Sequence, residues 1–290
     1  MFSHLQRLTN LHPEGVTSAD LNTFTLAGRA LKLVVQPGIW KPAELDAALT
    51  IRTTYTAPNQ LPPYEDAIAA GGLIRYAYRG TDPEHSDNRS LRSAMQQQVP
   101  LAYFVGVAKS VYQAHFPVFI VGERPMEHAF LVAIDEAQRL IPPELVETLT
   151  PDRRSYLERL VRTRLHQPVF RARVLQAYEK RCAICQLRHA DLLDAAHIIR
   201  DVDEGGLPVV PNGLSLCKIH HAAYDRNIMG VRPDLVIEVR RDILDEVDGP
   251  MLRHGIQEMA GRQLIVPRQR TAQPSKANLE LRYEEFRAAS

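Results

Sequence analysis

The sequence predicts an α+β chain in two parts. A curled, β-barrel-like sheet lies toward the N-terminus, and a small strand–strand–helix unit with flanking helices lies toward the C-terminus. Three observations carry that division. Up to residue 140, short apolar runs alternate with turn residues and only one internal segment has helical character, the pattern of a curled sheet. Ile141-Pro142-Pro143 then interrupts the chain. Beyond it, cysteines and histidines crowd between Cys182 and His221 in the order C-x2-C, D-A-A-H, P-N-G and C-x2-H-H. The expected boundaries are 1–140 for the sheet, 141–167 for a helical linker and 168–290 for the second unit.

The first 20 residues suit a short helix and a turn. Leu26–Val35 reads as a strand ended by Pro37-Gly38, and Leu49–Tyr55 as another. Asn59–Pro63 is a proline-bearing loop, after which Tyr64-Glu65-Asp66 and the Gly71-Gly72 turn lead into Leu73–Tyr78. That run alternates as a half-buried strand does. Asn88–Gln98 is a helix following an Asp/Asn-rich turn. Leu101–Val107 and Tyr112–Val121 are apolar, aromatic-rich strands about Ala108-Lys109-Ser110, a hairpin, and His128–Ile134 adds one more strand. Pro151–His166 and Pro168–Lys180 are two helices. Leu192–Ile199 is β-like, Asn212-Gly213 begins the return, and a helix starts at His221 and runs through Tyr224 and Asp225. Leu235–Val239 is a further strand, the segment to Pro274 is polar and loop-rich, and Ala277–Ala288 closes the chain as a helix.

Composition narrows the class. Apolar content of 45% and charged content of 24% are those of an ordinary globular protein, and 290 residues leave room for two cores. No apolar run is long enough for a membrane span. The opening MFSHLQRLTNLH lacks the apolar core of a secretory signal, so a cytoplasmic location is expected. The formal net charge of +1 is unevenly spread: residues 151–290 carry 23 Lys and Arg against 19 Asp and Glu, residues 1–150 carry 12 against 15. Basic residues concentrate at Arg153, Arg154, Arg159, Arg162, Arg164, Arg171, Arg173 and Lys180, where a helix would be able to track phosphates.

Cys182-Ala-Ile-Cys185 places two thiolates on one knuckle, the bite that tetrahedral zinc requires. Cys217-Lys-Ile-His220 repeats that spacing with an imidazole last, giving a Cys3His set with no cysteine to spare. A reducing cytoplasm disfavours the competing disulfide. The same window holds what phosphodiester hydrolysis needs, a base for water and a cation on the leaving oxygen. His221 and Asp225 are i and i+4, so a helix presents imidazole and carboxylate on one face. Four residues beyond His220 stands Tyr224, a poor ligand, which assigns His220 to the zinc and His221 to the catalytic cation.

With His197, Asn212, His221 and the flanking cysteine pairs in this order, Cys182 to Arg232 resembles the HNH, or ββα-metal, endonucleases. The resemblance implies that His197 is the general base, that Asn212 braces the loop carrying it, and that His221 helps to bind one divalent cation, magnesium or manganese. Products with 5′-phosphate and 3′-hydroxyl ends follow from it. Many relatives place an Asp or His directly before the base, whereas here that position is Ala196. Asp194, two residues earlier on the same strand face, is expected to compensate as a ligand.

The N-terminal stretch is similar to SRA domains, which are curled PUA-like sheets. The similarity rests on Tyr64-Glu65-Asp66, Gly71-Gly72, Arg75-Tyr76-Ala77-Tyr78-Arg79-Gly80, Asp87-Asn88 with Leu91, and Pro100–Phe104 with the hairpin behind it. Such domains flip a modified cytosine out of double-stranded DNA, which takes aromatic faces and a carboxylate for the exocyclic amine. By position, Tyr64 and Tyr78 would sandwich the base and Asp66 (or Glu65) would accept from N4. The only tryptophan, Trp40, either walls this pocket or packs beneath it. Together the two resemblances imply a modification-dependent, type IV-like restriction endonuclease. Since one HNH site cuts one strand, a homodimer is expected. The rivals are an HNH nuclease reading phosphorothioate, N4-methylcytosine or unmodified sequence, and a zinc-containing DNA-binding protein without catalysis, which Ala196 favours.

Overall fold

The computed structural model describes residues 1–62, 69–141, 145 and 148–289. The candidate residues Tyr64 and Asp66, and the prolines of the expected boundary at 142 and 143, lie outside the described residues. The chain forms two compact units, Met1–Thr56 with Pro62–Val169, and Phe170–Ser290 with Ala57–Leu61. Each has its own apolar core. Among the described residues no helix is long and apolar enough to cross a membrane.

The first unit is built on strands β1 (Val16–Thr17), β2 (Thr25–Leu26), β3 (Arg29–Ala30), β4 (Ile39–Trp40), β5 (Thr50–Thr53), β6 (Ile74–Ala77), β7 (Leu101–Ala108), β8 (Val111–Arg124) and β9 (Ala129–Ala133). Seven form one sheet in the order β4-β5-β7-β8-β9-β6, with β1 added on β8. β8 is long enough to serve two neighbours in turn. Its first half pairs with β7, from Val111 opposite Ala108 to Val118 opposite Leu101. Its second half pairs with β9, from Phe119 opposite Ala133 to Arg124 opposite Ala129. Bulges between Leu101 and Tyr103 and between Ile120 and Gly122 bend the ladder, so the sheet curls into a half-barrel. β7 is buried along nearly its whole length, which is why its sequence reads as a continuous apolar run and not as an alternating one. Helix Phe2–Leu11 sets Leu5 and Leu8 against Phe104, Tyr112 and Ala114 on one face of the sheet.

One expected strand is corrected here. Leu26–Val35 is a tight β2–β3 hairpin followed by irregular chain. Ala27 and Gly28 take left-handed φ values of 48° and 79°, which breaks the run. The backbone N–H groups of Leu33 and Val34 then donate to the Asn22 side chain (2.9 and 3.0 Å), satisfying the backbone without a ladder. Trp40 also settles differently from Ile39. The unit has a pocket of about 390 Å³ lined by Ile39, Arg52, Tyr76, Tyr78 and Tyr103 among others, and Trp40 is not among its walls.

The second unit holds β10 (Leu193–His197), β11 (Gly213–Cys217), β12 (Met229–Val231) and β13 (Ile237–Val239) in two antiparallel pairs. Helix Lys218–Asp225 follows β11 directly, three residues earlier than expected, because Cys217 ends the strand and occupies the helix N-cap position. β12 went unseen in the sequence, since three residues are too short for a period to show. The segment expected to be loop contains short helices Arg241–Asp245 and Pro250–Gly255. The basic run is also corrected. Arg173 is 2% exposed and donates to the carbonyls of Ala57 and Gln60 within its own unit (2.8 and 2.9 Å). Arg171 donates to the carbonyls of Ala190 and Leu193, and Arg164 pairs with Asp135. Those guanidinium groups hold the fold together, so a phosphate-tracking helix is not formed by the whole run.

Candidate active site and metal centre

Four side chains converge beside the β10–β11 hairpin. The ligand atoms of Cys182, Cys185, Cys217 and His220 all lie within 4.8 Å of one another, and among the described residues no other His, Cys, Asp and Glu group is dense enough to enclose a metal. A tetrahedron with Zn–S bonds of about 2.3 Å has edges near 3.8 Å. Cys185 Sγ to Cys217 Sγ is 3.9 Å, and His220 Nδ1 lies 3.5 Å from Cys182 Sγ and 3.1 Å from Cys217 Sγ. His220 Nε2 is 2.7 Å from the Gly255 carbonyl, so an Nε2–H donates there and Nδ1 is the nitrogen that faces the sulfurs.

Hydrogen bonds with Cys182 and Cys217 push the Cys185 thiol up, and those with Cys182 and Cys185 push Cys217 down. Burial works against a charged His220, but its hydrogen bonds with the same sulfurs outweigh that and raise it to about 10. The metal-free cluster therefore holds protons that a bound cation displaces, so affinity rises with pH. The donor set, the spacing and the committed Nε2 all fit structural zinc. The clasp is sewn in from both sides: the Ala183 N–H donates to the Ser215 carbonyl, and the Ile265 N–H to the Ala183 carbonyl.

His197 sits at the end of β10 opposite Gly213. Burial holds its imidazole below the usual range and outweighs the raising influence of Asp201 and Asp225, while the nearby His221 adds to the lowering. It is thus neutral near pH 7, the state a general base needs. The helix Lys218–Asp225 brings His221 Nε2 to 3.3 Å from Asp225 Oδ2. Two protein ligands suffice for magnesium, which keeps waters and takes further oxygens from a bound phosphate.

Asp194 is also close, with Oδ2 at 3.8 Å from His221 Nδ1. Its carboxylate, however, accepts from Lys218 Nζ at 2.8 Å and lies 3.5 Å from Arg171 Nε. Burial raises the Asp194 pKa, and Lys218 with His221 outweighs that and lowers it. Asp194 is therefore a carboxylate held among cations, touching the His221 ring from the side away from Asp225.

Asn212 is 1% exposed and uses its whole amide. Oδ1 accepts from the Ile199 N–H (2.9 Å) and from Asn278 Nδ2 (2.9 Å), while Nδ2 donates to the carbonyls of Ile199 (2.9 Å) and Leu207 (3.1 Å). It ties the chain just after His197 to the far end of the connecting loop. Replacing it with alanine leaves buried backbone groups unpaired, each worth roughly 1–3 kcal/mol. Asn212→Ala is expected to lower both the melting temperature and the cleavage rate, with zinc content unchanged. A thermal melt identical to that of the parent protein would contradict the bracing role.

Two residues of the last helix, Lys276–Ala288, complete this frame and carry no sequence signal. Asn278 braces Asn212. Arg282, 5% exposed, donates to the Tyr224 carbonyl (2.7 Å) and to Asn227 Oδ1 (2.5 Å), and stacks over the Tyr224 ring at 4.8 Å. It thereby fastens the end of the helix that bears His221 and Asp225. In the other unit, Tyr78 lines the pocket, its ring lies 5.0 Å from that of Phe130, and its hydroxyl donates to Glu123, which also receives Arg92 (2.7 Å).

Comparison with known proteins agrees with this geometry in the second unit. Residues 182–232 match the family described as "HNH endonuclease". No curated protein sequence matches the chain. Among solved structures, the chain is similar to one titled "Modification dependent TagI restriction endonuclease", at 17% identity and a TM-score of 0.31, over 94% of this chain and 93% of that one. It is also similar to one titled "Structure of the Type IV phosphorothioation-dependent restriction endonuclease ScoMcrA", at 15% identity and a TM-score of 0.23, over 82% of this chain and 54% of that one. The matched segment opens at the first cysteine of the clasp and closes beyond the helix bearing His221 and Asp225, so the chain carries an HNH endonuclease domain over residues 182–232.

Proposed function

We propose that the chain is a modification-dependent restriction endonuclease that reads a modified cytosine in double-stranded DNA with its N-terminal unit and hydrolyses a phosphodiester bond with its C-terminal unit. The observation that carries the cleavage half is the placement of His197 at a strand end and of the His221–Asp225 pair on the following helix, within the segment that matches the HNH endonuclease family. His197 accepts the proton of a water molecule as its oxygen attacks phosphorus, and Asn212 keeps the strand end still while it does so. His221 and Asp225 would hold a magnesium or manganese ion, which would supply charge stabilisation for the departing 3′ oxygen. Asp194, 3.8 Å from His221 Nδ1 and on the other side of the ring from Asp225, supports the ring electrostatically. Cys182, Cys185, Cys217 and His220 would hold a structural zinc, which would tie the hairpin to the helix that follows it. Two copies of the chain are needed to sever both strands.

The reading half rests on the curled sheet and its pocket of about 390 Å³, within the range of small-molecule sites. Its walls offer the tyrosine rings and threonine hydroxyls that base recognition uses. Plasmids of one sequence, carrying methylated or unmodified cytosine and digested with magnesium or manganese present, test the proposal. Only the modified plasmid is expected to be cut, and Tyr78→Ala is expected to weaken binding by ~1–3 kcal/mol, the stacking scale. Equal cutting of both plasmids would sink the modified-cytosine reading, and cutting confined to phosphorothioate or N4-methylcytosine DNA would move it to those marks.

A further inference from the structure

The His197 ring has a partner that no motif announces. Phe170, on the helix Gln167–Ala177 and 3% exposed, lies flat against it, with ring centroids 4.0 Å apart and planes 16° from parallel. Gly213 stands opposite His197 in the β10–β11 register. A Cβ at Gly213 would come within 2.8 Å of Phe170 Cζ and 2.5 Å of Val174 Cγ2. The φ of Gly213 is −133°, extended backbone that any residue adopts. Glycine is therefore required at this position for space, since its missing side chain is the slot that seats the Phe170 ring. The Tyr178 hydroxyl, one residue past the same helix, donates to the Gly213 carbonyl (3.3 Å) and holds helix and strand together.

An imidazole at a strand end turns broadly about χ2, with a two-fold preference only. Among the described residues no hydrogen bond is made to either ring nitrogen of His197, so hydrogen bonding does not set its plane. We propose that Phe170 is a positioning residue for cleavage: its face fixes the plane of the His197 ring without engaging either nitrogen, and Gly213 is the seat that makes the stack possible. The proposal rests on His197 being the base, and the test separates the two claims.

In the zinc-loaded full chain, labelled at histidine, the His197 ring protons are expected to be shifted upfield by the Phe170 ring current; the His197→Ala spectrum assigns them. Phe170→Leu and Gly213→Ala are expected to return those signals toward ordinary positions. Both should lower kcat for nicking of a susceptible plasmid on the order of tenfold to a hundredfold, with KM little changed, as misplacement of a reacting group does. Zinc stoichiometry and cooperative melting establish that each variant is folded. If Phe170→Leu does not fold, Gly213→Ala decides, because it keeps the Phe170 side chain and only displaces it from its seat. Unshifted His197 signals in the parent protein, or folded variants with unchanged kcat, overturn the proposal. Cleavage by His197→Ala with the ring-current shift present in the parent protein overturns the base reading instead.

Discussion

His197→Ala is expected to leave plasmid DNA intact under conditions in which the parent protein cuts it. Removal of a general base costs on the order of 10²–10⁴ in rate. The side chain is only part-buried and alanine suits a strand end, so the fold and the zinc content should persist. Supercoiled plasmid resolved on a gel, with zinc measured on the same preparation, gives the answer. The pH dependence carries a sign. Burial lowers the His197 pKa, so the neutral, proton-accepting form persists below the ordinary histidine value near 6.5 and is lost only as the pH falls through the lowered value. Cleavage should therefore hold steady through neutrality and decline on the acid side. A half-maximal point above pH 7 would contradict a buried base. If the parent protein itself cuts no DNA with divalent metal supplied, the zinc-containing DNA-binding alternative takes over.

Loss of zinc is expected to unfold the second unit and leave the first. Structural zinc contributes roughly 10–16 kcal/mol in small Cys/His sites, as much as the whole net stability of a typical domain, about 5–15 kcal/mol. The clasp joins Cys182 and Cys185 to Cys217 and His220 across more than thirty residues of chain, and Cys182 and Cys217 lie within the same core as Leu193, Leu214 and Tyr224. Cys185→Ala, or a strong chelator, should abolish the cooperative transition of that core. The first unit, whose cores are built from Leu5, Phe104, Tyr112 and from Leu73, Phe119 and Leu131, should keep its own transition. A Cys185→Ala protein that melts as the parent does would remove the structural role of the zinc.

What could be read in advance was local. The strands Leu101–Ala108 and Ala129–Ala133 are apolar along their length because sheet and helix cover them, and that pattern survives in one dimension. The i, i+3 pairs Cys182/Cys185 and Cys217/His220 and the i, i+4 pair His221/Asp225 are short-range geometry, so their spacing already implied which atoms meet. Charge misled for the opposite reason. Arg171 and Arg173 look like a basic surface in sequence, yet their guanidinium groups satisfy backbone carbonyls of Ala190, Leu193, Ala57 and Gln60, and nothing in the local pattern distinguishes the two uses.

By itself, then, the sequence determined the two-part α+β plan, the Cys3His clasp and the order of the residues assigned to hydrolysis, since ligand bite and strand period are set by covalent neighbours. Only the tertiary structure decided what steadies those residues: Phe170 on the His197 ring, Asn278 on Asn212 and Arg282 on the helix end. Those partners come from 27 to 66 positions away, and a contact across that distance depends on how whole elements pack. Packing leaves no periodic trace in the residues that take part in it.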